Sequence, residues 1–252
     1  DEECFILDRK LNDKVALITG SASGIGYAEA KLFLEEGAIV AICDIDEVKV
    51  KKAVTELSAL GTVRGFKVDI SQKEQDENMV SELLTEFKRI DILVNNAGIT
   101  KDAQFYKMTD AQFKAVIDVN LMGNYYMTKA VVPVMMENKY GKIIHTSSVS
   151  AYNGNFGQTN YAASKAAIMG MTRVQGKELG KYGINVNAVC PGSILTDMYA
   201  AVPEEVKQKK LSTIPLRRYG MPSECAQLVC FLASDESSYV TAQCITIDGG
   251  FN

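Results

Sequence analysis

The sequence has no tryptophan, one histidine and five prolines among its 252 residues. Its six cysteines are scattered, most of them inside apolar runs such as AICDI and NAVCPG, and none forms a C-x-x-C pair. With a single histidine, a Cys/His zinc site is not available, so we expect no metal centre. Isolated cysteines in apolar runs are typical of reduced core thiols, which favours a cytoplasmic protein.

Charge of one sign and long apolar runs are also scarce. The formal net charge is -4, and no block of Lys and Arg interrupts that balance, so nucleic acid is not an expected partner. No stretch reaches about 18 uninterrupted apolar residues, the length that a membrane-spanning helix needs. The sequence begins with acidic residues, where a secretory signal would carry basic ones. We therefore expect no membrane partner.

Short runs rich in Val and Ile alternate with segments of helical apolar spacing. The runs predict seven strands, at 15–19, 39–43, 63–68, 91–94, 142–147, 184–190 and 244–247, each of them buried. The helical spacing predicts helices at 25–36, 46–59, 73–88, 110–138, 160–182 and 222–233. This alternation predicts an α/β, single-domain, doubly wound Rossmann-type fold, with a seven-stranded, mainly parallel sheet and helices on both faces. Seven unevenly spaced strands are too few for an eight-stranded barrel.

Two segments fall outside this pattern. Residues 1–12 resemble a poorly anchored N-terminal extension, which leaves 13–252 as the Rossmann-type domain that carries the site. Residues 191–221 are the least regular stretch and hold three of the five prolines, so we expect a cover over a site. Within it, residues 198–202 are apolar and offer surface that would close over a bound ligand.

A glycine-rich turn follows the first predicted strand and leads directly into a helix. It runs Gly20-Ser21-Ala22-Ser23-Gly24-Ile25-Gly26, with the spacing G-x-x-x-G-x-G. Gly20 permits a tight turn, Gly24 lets the backbone approach a pyrophosphate, and Gly26 removes a Cβ where helix packs on strand. The turn therefore predicts a dinucleotide site at the start of the first helix.

Asp44 ends the second predicted strand, 18 residues beyond Gly26. That offset is close to the roughly 20 residues expected of a carboxylate that binds the adenosine ribose of NAD. The alternative is that Asp44 caps the helix that begins near Asp46. The agreement of strand position and glycine turn favours ribose binding, with NAD as the cofactor.

Tyr161 and Lys165 lie four residues apart in a predicted helix, so both side chains project from one face. A free tyrosine, with a pKa of about 10, is a poor acid or base at neutral pH, and a nearby ammonium lowers that pKa. Such a pair also occurs by chance, but Ser148 ends a predicted strand, where open α/β sheets bind ligands. Its hydroxyl would polarise a carbonyl that Tyr161 protonates, unless it only closes a structural turn.

Several separated motifs follow one another along the chain: TGSASGIG at 19–26, NNAG at 95–98, Asn120 in DVNLMG, Ser148, YAASK at 161–165, PG at 191–192 and IDGG at 247–250. Together, and in this order, they resemble the short-chain dehydrogenase/reductase family from about residue 12 onwards. The resemblance implies a catalytic tetrad of Asn120, Ser148, Tyr161 and Lys165. Asn120 would help hold a water that links Lys165 to solvent, and Lys165 would also bind the nicotinamide ribose.

The resemblance also implies where the cofactor lies. Besides the glycine turn and Asp44, the implied cofactor contacts are Ile45 after the second strand, Asp69 and Ile70 at the adenine, Asn95, Asn96, Ala97 and Gly98 along the cleft, and Pro191, Gly192, Ile194 and Thr196 beside the nicotinamide.

Within the family, segments 95–102, 153–165 and 213–222 look most like the bacterial 3-oxoacyl carrier-protein reductases and acetoacetyl-CoA reductases, which usually favour NADPH. This sequence departs from them at Ser23, where a basic residue commonly precedes the second glycine, and at Asp44, where they lack an acid. At the two basic positions that dock the carrier protein, it has Lys139 and then Tyr182.

Three functions stay open on this reading. The first is an NADH-linked reductase of 3-oxoacyl thioesters in fatty acid metabolism, whose small-molecule substrate is carried by CoA or a carrier protein. The second is an NAD-dependent secondary alcohol, polyol or hydroxysteroid dehydrogenase. The third is a dinucleotide-binding scaffold without turnover, which the complete tetrad disfavours. The resemblance further implies a homotetramer, and helices 110–138 and 160–182 carry more apolar residues than one buried face needs.

Overall fold

The computed structural model describes residues 9–196 and 204–252, except for the side chains of residues 204, 206, 209 and 210. Cys4 and residues 198–202, which the sequence predicts as a core thiol and as part of a cover, lie outside the described residues. Among the described residues, no helix has both the length and the apolar character to cross a membrane.

One seven-stranded sheet forms the centre of the protein. Its strands are β1 (Val15–Thr19), β2 (Ile39–Asp44), β3 (Val63–Lys67), β4 (Ile92–Asn95), β5 (Gly141–Thr146), β6 (Ile184–Pro191) and β7 (Cys244–Ile247). They lie in the order β3-β2-β1-β4-β5-β6-β7, and every adjacent pair is parallel. The order reverses direction between β1 and β4, and the carboxyl ends of strands at such a point border a crevice that binds ligands.

Helices connect the strands. They are α1 (Gly24–Glu35), α2 (Glu47–Leu57), α3 (Lys73–Phe87), α4 (Asp110–Ile117), α5 (Asn124–Asn138), α6 (Ser150–Asn153), α7 (Thr159–Leu179), α8 (Glu204–Leu211) and α9 (Pro222–Ala233). Short 3₁₀ turns occupy Phe105–Lys107, Gly180–Tyr182 and Asp235–Ser237, and a π-helical turn, Asp118–Gly123, joins α4 to α5.

The core has two halves, one on each face of the sheet. Alternate residues of a strand point to opposite faces, so Ile18 of β1 packs with Phe33 of α1 and Val229 of α9, whereas Leu17 packs with Leu83 of α3 and Val131 of α5. Both faces of the central strands are therefore buried, which explains their nearly continuous apolar sequences. The predicted α/β doubly wound fold is confirmed, and the sheet is wholly parallel.

Three local predictions need correction. The helix predicted at 110–138 is interrupted by the π-helical turn at Asp118–Gly123, because a turn with one extra residue leaves the apolar spacing on either side intact. The third strand is exposed along most of its length, since β3 is an edge strand with a single neighbour. The other edge strand, β7, is only partly buried.

The N-terminal boundary also differs from the expectation. Leu11 is fully buried, and its backbone N–H donates a hydrogen bond to the carbonyl of Glu36 at 3.0 Å. The chain is therefore anchored from Leu11 at the latest, within the range expected to be loose. The cysteines agree better with expectation, since Cys43, Cys190, Cys225 and Cys230 are free, buried thiols and Cys244 is partly buried.

Candidate active site

The glycine turn lies at the carboxyl end of β1, where the crevice begins. Gly20 and Gly24 both have φ of +61°, in the left-handed region that favours glycine. A Cβ on Gly20 would lie 2.7 Å from the Cα of Ala97. A Cβ on Gly26 would lie 2.7 Å from the carbonyl oxygen of Gly20 and 2.5 Å from the side chain of Asn96. The turn therefore closes against the loop after β4 with no room for side chains.

Asn96 and Thr19 fix this closure. The Asn96 amide donates to the carbonyls of Thr19 and Gly20, at 3.1 and 3.0 Å. In return, the Thr19 hydroxyl accepts from the backbone N–H groups of Asn96 and Ala97, at 3.1 and 3.0 Å. Asn96, predicted as a cofactor contact, thus also holds the shape of the glycine turn.

A cleft of about 370 Å³ opens beside this turn. Twelve of the predicted cofactor positions line it: Gly20, Ser23, Gly24, Ile25, Asp44, Ile45, Asp69, Ile70, Asn96, Ala97, Gly98 and Thr196. Ser23 is the N-cap residue of α1, but its side chain makes no capping hydrogen bond, so the first N–H groups of the helix are not satisfied by it. Unsatisfied N–H groups at a helix N-terminus bind phosphate, so we expect a dinucleotide in this cleft and name it the cofactor cleft.

The position of Asp44 decides between its two interpretations. The N-cap of α2 is Asp46, whose carboxylate accepts from the N–H groups of Val48 and Lys49. Asp44 lines the cofactor cleft, and one of its oxygens accepts from the N–H of Asp46 at 3.2 Å. The capping role therefore belongs to Asp46, and the carboxylate of Asp44 borders the cleft.

Two other predicted cofactor positions have structural roles as well. The carboxylate of Asp69 accepts from the backbone N–H and the hydroxyl of Ser71, at 3.0 and 2.7 Å. Asn95 is 1 % exposed and does not line the cleft; its amide donates to the Thr128 hydroxyl at 2.9 Å. Asn95 thus belongs to the buried core rather than to the cleft wall.

Ser148 and Tyr161 lie together in a second, adjoining cleft of about 530 Å³. Ser148 follows the end of β5 and is 8 % exposed, and Tyr161 lies in the first turn of α7. The two side chains interact, and Ser148 lowers the pKa of Tyr161. Pro191, Gly192, Ile194 and Thr196 line the same cleft.

Lys165 lies one helical turn beyond Tyr161 and is 2 % exposed. Its ammonium lies 5.7 Å from the centre of the Tyr161 ring and donates to the carbonyl of Thr146 at 2.7 Å. A Cβ on Gly98 would lie 3.3 Å from the Lys165 nitrogen and 3.3 Å from the Asn120 side-chain oxygen. Gly98, which also lines the cofactor cleft, therefore lies directly against both side chains.

The π-helical turn places Asn120. Its side-chain oxygen accepts from the N–H of Ile99 at 2.8 Å, and its amide donates to the carbonyl of Ile99 at 3.0 Å and to the Ser164 hydroxyl at 3.2 Å. The Asn124 amide donates to the Asn120 carbonyl at 2.8 Å, which supports the wide turn. Asn120, fully buried, therefore connects the loop after β4 to the helix that carries Tyr161 and Lys165.

The electrostatics of this group differ from the expectation. Burial raises the pKa of Tyr161 above its usual value, the hydrogen bond with Ser148 opposes that rise, and the Asp102 carboxylate adds to it. Burial also lowers the pKa of Lys165 to about 8. The tyrosine pKa is thus raised and not lowered as predicted, because desolvation of the phenolate is the largest effect on it.

Three residues of the site were missed from the sequence. Thr19 was quoted within a motif but given no role, although its hydroxyl anchors two backbone groups. Asp102 and Gln158 line the second cleft and are hydrogen-bonded to each other at 2.9 Å. Both lie within segments whose likeness to the family was noted, but nothing in their spacing indicates that two distant loops meet.

Comparison with known proteins matches residues 20–252 to the family described as enoyl-(acyl carrier protein) reductase. A 3-oxoacyl-(acyl-carrier-protein) reductase of Thermotoga maritima is 48% identical over 96% of this chain and 98% of its own length. A hydroxy(phenyl)methylsuccinyl-CoA dehydrogenase subunit of Thauera aromatica is 44% identical over 95% of this chain and 97% of its own. A 3-oxoacyl-(acyl-carrier-protein) reductase of Chlamydia muridarum is 41% identical over 95% and 98%.

Proposed function

Because the chain belongs to the short-chain dehydrogenase/reductase family of oxidoreductases, which use a nicotinamide cofactor, we propose that it reduces a 3-oxoacyl thioester to the 3-hydroxyacyl thioester with NADH. The observation that carries this proposal is the meeting of Ser148 and Tyr161 at the wall of a cleft that adjoins the cofactor cleft, with Lys165 buried behind the Tyr161 ring. The names of the Thermotoga and Chlamydia relatives support the substrate class.

In the proposed mechanism, Asn120, Ser148, Tyr161 and Lys165 act as the catalytic tetrad. Bound NADH supplies the hydride that the carbonyl carbon receives. Ser148 donates a hydrogen bond to the carbonyl oxygen, and the Tyr161 hydroxyl donates the proton that this oxygen takes up. A raised pKa keeps Tyr161 protonated at neutral pH, which suits a residue that acts as the acid in reduction.

Lys165 and Asn120 act behind the tyrosine. A lysine with a pKa near 8 exchanges protons readily at neutral pH, so Lys165 is suited to return a proton to Tyr161 after turnover. Its ammonium also stabilises the phenolate formed when Tyr161 gives up its proton. The hydrogen bonds of Asn120 to Ile99 and Ser164 hold the neighbouring backbone in place, and we propose that Asn120 supports the proton path from Lys165 to solvent.

The cofactor-binding residues are proposed from the lining of the first cleft. The N-terminus of α1, with Ser23, Gly24 and Ile25, would hold the pyrophosphate, and Asp44 would accept hydrogen bonds from the adenosine ribose. Two lysines of α2 lie beside carboxylates, since Lys49 is 3.9 Å from the Asp46 carboxylate and Lys51 is paired with Glu47, which weakens their attraction for a 2′-phosphate. These contacts favour NADH over NADPH.

The test is an assay of NADH and NADPH oxidation over a panel of carbonyl compounds. The panel contains acetoacetyl-CoA, an acetoacetyl carrier protein, a small diketone and a ketosteroid. We expect the thioesters to give the highest kcat/KM. Turnover of the ketosteroid or the diketone orders of magnitude faster than either thioester would reject the substrate assignment.

A second candidate function is the oxidation of a secondary alcohol with NAD. Two observations favour it: the Asp44 carboxylate in the cofactor cleft and the dehydrogenase name of the Thauera relative. The same protein is assayed for NAD reduction with 3-hydroxybutyryl-CoA, simple secondary alcohols, polyols and hydroxysteroids. Faster oxidation of any of these alcohols than reduction of the matching ketone, at equal cofactor concentration and neutral pH, would favour this candidate.

We also propose that residues 13–252 act as one catalytic domain in the cytoplasm and that four chains assemble. The helices named for assembly expose large apolar side chains, since Phe113, Tyr125 and Val174 are 38%, 40% and 54% exposed. We propose that these side chains contribute to a contact between subunits. Sedimentation velocity at micromolar concentration is expected to give a species of four times the chain mass, and a monomer alone would reject the assembly.

A further inference from the structure

The described lining of the second cleft holds a single charged side chain. Among the described residues that line it, Asp102 alone carries a formal charge, and the others are apolar or neutral and polar. No described lining residue is a lysine or an arginine, so the cleft offers no exposed cation to a substrate. Lys165 is the nearest lysine to Tyr161, but it is buried behind the ring and its ammonium is bonded to the Thr146 carbonyl.

Asp102 is held in place from across the cleft. Its carboxylate accepts from the Gln158 amide at 2.9 Å, and the Gln158 oxygen accepts from the Ser150 hydroxyl at 3.3 Å. A backbone hydrogen bond from Ala103 to Gly157 at 2.9 Å ties the same two loops together. The carboxylate is therefore a fixed charge at the rim rather than a freely rotating one.

The hydrogen-bond chain from Asp102 ends at the reacting groups. Ser150 contacts both ends of this path. Its hydroxyl donates to Gln158, and its backbone N–H donates to the Ser148 hydroxyl oxygen at 3.1 Å. The negative charge of Asp102 also raises the pKa of Tyr161. The field of this carboxylate thus reaches the place where a substrate carbonyl would bind.

We propose that Asp102 sets the charge selectivity of the enzyme, admitting 3-oxoacyl groups that are neutral next to the reacting carbonyl and excluding the corresponding free 3-oxo acids. This inference rests on the proposed function and deepens it, because a thioester is a 3-oxo acid whose carboxylate has been neutralised. A free acid would bring its negative charge within a few ångströms of the carbonyl, into a cleft whose described lining holds one anion and no cation. The neutral polar groups that line the cleft are sufficient to bind an uncharged thioester.

The magnitude follows from Coulomb's law with solvent screening. Two like charges at about 8 Å repel by roughly 2 kcal/mol at an effective dielectric of 20, which corresponds to about a thirtyfold loss of binding. Asp102 is solvent-exposed at the rim, so we lower the expected loss of binding from about thirtyfold to about tenfold. The effect weakens as salt concentration rises.

The experiment compares acetoacetate with two neutral partners, ethyl acetoacetate and acetoacetyl-N-acetylcysteamine. The wild type, Asp102→Asn and Asp110→Asn are assayed at neutral pH and low salt. Asn preserves the shape of Asp102 and can still accept from Gln158, so only the charge is lost. Asp110 lies at the start of α4, is exposed and does not line the cleft, so its variant controls for the change in net charge. Acetoacetate is measured both as a substrate and as an inhibitor of the reduction of whichever neutral compound is turned over.

We expect Asp102→Asn to raise the acetoacetate-to-neutral ratio of kcat/KM about tenfold, mainly through a lower KM or inhibition constant for acetoacetate. In the pH profile for reduction of a neutral compound, the loss of activity at high pH should move to lower pH in this variant, because removal of the anion lowers the pKa of Tyr161. Asp110→Asn should show neither change.

A ratio within twofold of the wild type in Asp102→Asn, or an equal rise in Asp110→Asn, would overturn the proposal. Failure of the proposed function is a separate outcome. If the ester is reduced and the thioester is not, the thioester assignment fails, while the ratio for acetoacetate and the ester still decides the role of Asp102.

Discussion

Removal of the Asp44 charge is expected to abolish most of the preference for NADH over NADPH. Asp44 lies at the carboxyl end of β2 and lines the cofactor cleft beside Ile45 and Ser23. Its hydrogen bond from the Asp46 N–H, at 3.2 Å, fixes the carboxylate and uses one acceptor site. A carboxylate has about four such sites, so others remain for the two ribose hydroxyls.

The expected preference has two contributions, hydrogen bonds that favour NADH and charge repulsion that disfavours NADPH. Each charged hydrogen bond to a ribose hydroxyl contributes about 1.5 to 3 kcal/mol before competition with water. A 2′-phosphate at the same place would put like charges at about 4 Å, which costs roughly 4 kcal/mol at an effective dielectric of 20. Since the cleft is open to water, we reduce this sum severalfold, to about 1.5 kcal/mol, or roughly tenfold in kcat/KM.

The assay measures kcat/KM for NADH and NADPH in the wild type, Asp44→Asn and Asp46→Asn. Both variants lose one negative charge, and Asn preserves the helix cap at position 46. We expect the wild type to prefer NADH by about tenfold or more. Asp44→Asn should lose most of this preference, and Asp46→Asn should keep it. A wild type that prefers NADPH, or an equal change in both variants, would refute the reasoning.

Two further predictions concern stability. Gly26→Ala would press a Cβ against backbone 2.7 Å away, so we expect a loss of about 1 to 3 kcal/mol in unfolding free energy and weaker NADH binding. Gly180→Ala, which has open space around its Cβ, should change neither quantity. Chemical denaturation and fluorescence titration measure the two quantities, and equal effects of the two variants would contradict this prediction. Glu29 is fully buried, neither of its oxygens has a hydrogen-bond partner, and burial raises its pKa from 4.5 to about 8. The unfolded state therefore releases this proton at a lower pH than the folded state does. The free energy of unfolding consequently falls as pH rises from 4.5 to about 8. Glu29→Gln should remove most of this loss, and its Tm should exceed that of the wild type at pH 9 but not at pH 5; identical pH dependence of Tm in the two proteins would exclude the assignment.

The sequence predicted the parts of the site that depend on local backbone geometry. A glycine turn between strand and helix has few conformations, so Gly20, Gly24 and Gly26 could be placed before the fold was known. Asp44 was predicted to act beside the turn from its 18-residue offset after Gly26, and the parallel pairing of β1 with β2 brings it there. Its capping alternative required coordinates, since Asp44 and Asp46 are both plausible caps for α2.

The parts that depend on burial and on distant contacts were not predicted. The segment DVNLMG has ordinary helical spacing, so the π-helical turn that places Asn120 left no signal. The spacing of Tyr161 and Lys165 indicated attraction, but the direction of the tyrosine pKa shift depends on how deeply both groups are buried. Asp102 and Gln158 are 56 residues apart and meet only because α7 begins beside the loop after β4.

The central claim is that Tyr161 donates the proton while a 3-oxoacyl thioester is reduced. The most direct measurement is the steady-state rate of NADH oxidation with acetoacetyl-N-acetylcysteamine by the wild type and Tyr161→Phe, together with the Kd of NADH for each. The variant keeps the ring and loses the proton, so we expect kcat to fall at least about a hundredfold while the Kd stays within about threefold. A variant that retains near-normal turnover of the thioester would contradict the account.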